Sequence, residues 1–136
     1  MTKTIVGVAL VCMLAAGQSF AHHGPAALGT VRITQPVLAG GTTLQPGTYE
    51  IRDTGKHGTP LPGQSEEAQA EIEFVANGMV VARDLAEVMP GRAVPVGTSG
   101  SSSHLVVQML KGGDFMRISK DQGGERYLIH LRVAGN

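Results

Sequence analysis

Beyond residue 21, apolar and polar positions alternate in short runs separated by clusters of Gly, Pro, Asn and Asp. A period of two is the signature of strands with one buried face. Residues 30–34 place Val31 and Ile33 on one side, and residues 48–53 do the same with Tyr49 and Ile51. Residues 71–75 put Ile72 and Phe74 inside and turn Glu71 and Glu73 toward water. The tripeptide Ala76-Asn77-Gly78 follows; Asn-Gly accepts the positive φ angles of a tight hairpin, so residues 79–88 are expected to return beside the preceding strand. In the C-terminal third, residues 105–110, 115–120 and 126–133 alternate clearly and are joined by Lys111-Gly112-Gly113-Asp114 and Asp121-Gln122-Gly123-Gly124. Two short turns allow little but an antiparallel meander. Met109 and Met116 take core positions in this pattern, while Val106, Leu110 and Leu128 fall on the opposite face. Apolar residues on both faces imply that a closed barrel, a second layer or a partner covers the outer side.

The remaining stretches read as connections. Residues 56–64 contain Pro60 and Pro62 and are unsuited to a central strand. Residues 63–70 make at most one helical turn, and residues 97–103, GTSGSSS, have the composition of a flexible linker. No internal repeat is present. The pattern predicts an all-β protein, an antiparallel β-sandwich or small β-barrel of about seven or eight strands, in a single domain over residues 22–136.

Residues 1–21 lie outside that pattern. A basic start at Lys3, an apolar run over residues 5–17 and the small residues Ser19 and Ala21 have the form of a signal peptide cleaved after Ala21. The apolar run is shorter than a membrane span needs. The expected product is exported to the periplasm or the medium, with no membrane span once the signal is removed. The single cysteine, Cys12, falls within the signal, so the mature part has neither disulfide nor thiol chemistry.

Charge narrows the partners. Eleven Lys and Arg balance eleven Asp and Glu, and the basic positions are scattered along the chain, which argues against nucleic acid and anionic membranes. Tryptophan is absent, and the mature part holds only Tyr49, Phe74, Phe115 and Tyr127 as aromatics, too few for a platform on which sugars or bases stack.

Three segments carry a family resemblance. They are Leu44-Gln45-Pro46-Gly47-Thr48-Tyr49-Glu50-Ile51, an L-x-PGTYEI box; the hairpin over residues 73–83; and Gly123-Gly124-Glu125-Arg126-Tyr127-Leu128-Ile129-His130-Leu131. In this order they resemble an uncharacterised group of small secreted bacterial β-domain proteins. The resemblance implies an exported β domain and carries over no functional residue. The stretch over residues 46–58, PGTYEIRDTGKHG, also resembles periplasmic copper-resistance β domains that begin with histidine after cleavage, although the rest of the chain departs from their pattern.

Candidate chemistry is sparse. Cleavage after Ala21 exposes His22-His23, whose amine and imidazole nitrogens favour copper(II), with His57, His104 or His130 as a further ligand. A mobile polar terminus accounts for the same residues without a metal. Ser101-Ser102-Ser103-His104 sits in a Gly/Ser stretch that does not constrain a nucleophile. Glu71 and Glu73 share a strand face, as surface carboxylates commonly do, and no sugar platform accompanies them. Met79, Met89, Met109 and Met116 suit core packing better than copper(I) ligation. With no catalytic constellation, the expectation is a non-enzymatic exported module that binds another protein or an envelope component. The alternative is a periplasmic copper-binding protein using His22, His23 and His57.

Overall fold

The computed structural model describes residues 25–90 and 105–135. The expected signal peptide over residues 1–21, His22, His23, His104 and the expected linker over residues 97–103 lie outside the described residues. The remainder is all-β: β1 (Ala26–Ile33), β2 (Val37–Ala39), β3 (Thr42–Leu44), β4 (Gly47–His57), β5 (Gln69–Ala76), β6 (Met79–Pro90), β7 (Val106–Met109), β8 (Phe115–Gln122) and β9 (Glu125–Val133). Every pairing is antiparallel. A path of seven strands, β1-β4-β5-β6-β9-β8-β7, curls into a half-barrel. The short hairpin β2–β3 joins β9 beside β6: Glu125 to Leu128 pair with β6, and Arg132 and Val133 with β2.

Local chemistry explains the turns. Asn77 (φ 51°) and Gly78 (φ 77°) both adopt positive φ at the β5–β6 hairpin, as the Asn-Gly pair demands. In the Pro46-Gly47 turn the Tyr49 hydroxyl donates to the Gln45 carbonyl at 2.6 Å, tying the start of β4 to the residue that introduces it. Near the end of β4, Asp53 Oδ1 accepts from Gly55 N (2.8 Å) and Thr54 Oγ1 accepts from Lys56 N (3.3 Å). These bonds hold a bulge between Asp53 and His57, past which the strand resumes opposite Ala70.

The concave side holds the core. Val31, Ile33, Ile51, Ile72, Phe74, Ile118, Ile129 and Leu131 are buried there together with the small side chains Ala70, Ala82 and Ala86. Burying an aliphatic side chain of this size contributes about 1.5–3 kcal/mol, the main term a cysteine-free domain has available.

Several sequence expectations change. The strands β2 and β3 were not expected, because three residues are too few to show alternation. The strand β4 runs through Lys56 and His57, which the prolines nearby had assigned to a loop. Helical structure in residues 63–70 amounts to one 3-10 turn, Glu66–Ala68. Met116 is buried as expected, but Met109 is 45% exposed, since among the described residues no strand continues the sheet beyond β7. Glu73, expected in water, is only 5% exposed. It lies in register between Arg52 and Arg83 on the convex side, with its carboxylate 3.7 Å from the Arg83 guanidinium.

Candidate functional site

Among the described residues, those singled out for chemistry do not converge. His57 is exposed at the end of β4. His130 lies on the convex side of β9, where its Nε2 accepts from Arg117 Nε at 3.2 Å. Among the described residues, no three His, Cys, Asp or Glu side chains are grouped so as to hold a metal. The pair Glu71 and Glu73 is divided in use: Thr54 Oγ1 donates to Glu71 Oε1 (3.1 Å), and Glu73 faces arginines.

Polar groups inside the curl are occupied by one another. Tyr127 on β9 is 9% exposed, and its hydroxyl donates to Asp53 Oδ2 on β4 at 2.9 Å. Burial, then the hydrogen bond to the Asp53 carboxylate, pushes the phenol well above its ordinary value. Lys120, directly across β8–β9 from Tyr127, is 7% exposed. On the convex side, the Arg126 guanidinium binds Asp121 through two hydrogen bonds (2.6 and 2.8 Å), and this holds the carboxyl below its usual range. The Arg52–Glu50 pair has the same form at 3.0 Å and lowers Glu50 likewise. Both pairs neutralise local charge, Asp121–Arg126 between β8 and β9 and Glu50–Arg52 within β4; neither presents a reactive group to a cleft.

The feature that stands apart is β7. Its four residues, Val106-Val107-Gln108-Met109, carry no charge and are all exposed. One edge pairs with β8; the other pairs with nothing among the described residues. Val107 and Met109 sit opposite Ile118 and Met116, both buried, so they point to the concave side, yet both are exposed among the described residues. Val106 and Gln108 sit opposite Ser119 and Arg117 on the convex side. Leu105, just before the strand, reaches β1: a Cβ added to Gly29 would lie 3.2 Å from Leu105 Cδ1. At the other end, Gln35 Nε2 contacts Met109 Sδ at 3.4 Å. Sheet proteins normally blunt such edges with charge, proline or cover, and a bare apolar edge is a template for pairing with another chain. The sequence signal was present as an uncharged run with apolar residues at both parities, but the place of β7 at the end of the described strand path is a property of the topology.

No family model matches the chain, and no curated protein or solved structure is similar to it.

Proposed function

We propose that this is an exported, non-catalytic β domain that binds another protein or an envelope component through the open edge of β7. The observation that carries the reading is the exposure of all four uncharged residues of a strand whose outer edge is unpaired among the described residues. Strand addition suits it, because main-chain bonds supply affinity while alternate side chains supply specificity. Export to the periplasm or the medium belongs to the same reading and rests on the form of residues 1–21. Affinity capture from the host's exported fraction provides the test, with the wild-type domain compared against Val106→Lys/Gln108→Lys. Both substituted residues are exposed, so the variant is expected to fold. A protein retained by wild type and lost by the variant supports the edge; equal retention by both contradicts it.

Copper binding is the second reading. It is favoured by one placement: Ala26 pairs with Asp53, so the chain joins the sheet at the end of β4 that bears His57. It requires His22 as the free terminus, with His23 and His57 as neighbours. Native mass spectrometry of the exported protein with one equivalent of copper(II) tests it. A species starting at His22 that holds copper against a weak chelator, and loses it in His57→Ala, supports the site; a species that sheds copper refutes it.

A further inference from the structure

We infer that the partner of this edge supplies one extended segment that lies between β1 and β7, antiparallel to both, and completes an eight-stranded antiparallel barrel from the seven-stranded path. The inference rests on the reading of β7 as a binding edge and names the occupant. Antiparallel neighbours alternate in direction, so β1 and β7, first and seventh in the path, run the same way. Direct closure between them would require a parallel ladder only four residues long, the less stable pairing per residue. A single inserted strand of opposite direction satisfies the free N–H and C=O groups of both edges at once. A second copy's β7 would pair across a two-fold axis but leave β1 open.

Both ends of the seam are already defined. Leu105 over Gly29 bridges one end and the exposed Gln35–Met109 contact the other, both through side chains that swing aside as the segment enters. The inward positions of the segment meet Val107 and Met109 beside the buried Val31 and Ile33, and so call for branched aliphatic side chains. Its outward positions face Thr30 and Arg32 on β1 and Val106 and Gln108 on β7. Arg32 is exposed, the single charge on either edge strand, and has no acidic partner among the described residues. A carboxylate opposite it on the segment is therefore favoured. The partner chemistry is a proline-free run alternating aliphatic and polar residues, with one acid on the polar side.

The probe is a terminally blocked synthetic peptide of alternating valine and threonine with one threonine replaced by glutamate, added to the mature domain while amide exchange is followed residue by residue. The expected result is slowed exchange in β1 and β7 together. Arg32→Glu is expected to weaken the glutamate peptide about fivefold, and a lysine version of the peptide to recover binding. Unchanged exchange in β4 and β5 verifies that the variant is folded. Slowing in β7 alone overturns the insertion while leaving the binding edge intact, and slowing in neither strand overturns it outright. Full protection of both edges without peptide at low protein concentration also overturns it, since the edges would then be paired within the chain.

Discussion

The Tyr127 hydroxyl on β9 donates to the Asp53 carboxylate on β4 at 2.9 Å, although β5 and β6 separate those strands in the sheet. The bond crosses the inside of the curl and fixes its curvature near the first residues of β9. Asp53 is itself anchored by Gly55 N, so the acceptor is held in place before the tyrosine reaches it. Tyr127→Phe is expected to cost about 1.5–3 kcal/mol, the range for a hydrogen bond to a charged acceptor, measured by chemical denaturation.

The same bond sets an alkaline limit. The folded-state phenol titrates above its ordinary value, because burial and the neighbouring carboxylate disfavour phenolate. A raised value means the stabilisation is complete below the unfolded phenol's value of about 10 and declines as pH rises beyond it. Denaturation midpoints across the alkaline range are expected to fall more steeply for wild type than for Tyr127→Phe.

Asp121 sets the corresponding acid behaviour. Its two hydrogen bonds from Arg126 hold the carboxyl below its usual range. A lowered value gives stability above the unfolded carboxyl's value of about 3.9, lost as pH falls through the folded-state value. Asp121→Asn is expected to flatten the acid limb of the stability curve and leave the alkaline limb unchanged.

The hairpin β2–β3 is seated by a glycine. At Gly40 (φ 53°) an added Cβ would overlap the Arg83 carbonyl of β6, whereas the same atom at Gly41 (φ 86°) meets nothing. Gly40→Ala is expected to destabilise by about 3 kcal/mol or more through overlap with rigid backbone added to the positive-φ strain, and Gly41→Ala by about 1 kcal/mol through the strain alone. Thermal unfolding of the two variants separates steric seating from backbone preference.

Much of this architecture was legible in the chain. The alternation around Ile51, Phe74, Ile118 and Ile129 marked the core strands, and Asn77-Gly78 marked its hairpin, because both signals are local. Glu73 was misread because its alternation is that of a surface residue, while Arg52 and Arg83, which cover it, arrive from other strands. Met109 was misread for the complementary reason: its inward direction was legible, but its place on the last described strand of the path was not. The Tyr127–Asp53 bond spans 74 positions in the chain and left no local trace. The open edge, the part of the candidate site that matters most, is likewise a consequence of strand order and not of any motif.

Site-specific photo-crosslinking tests the binding edge most directly. A photoreactive residue at position 108, on exposed β7, is compared in the exported protein with one at position 85, exposed on β6, the strand midway along the path and farthest from both of its edges. A discrete adduct from position 108 that is absent from position 85 is the predicted result. Adducts of equal yield from both positions, or none from position 108, would contradict the account.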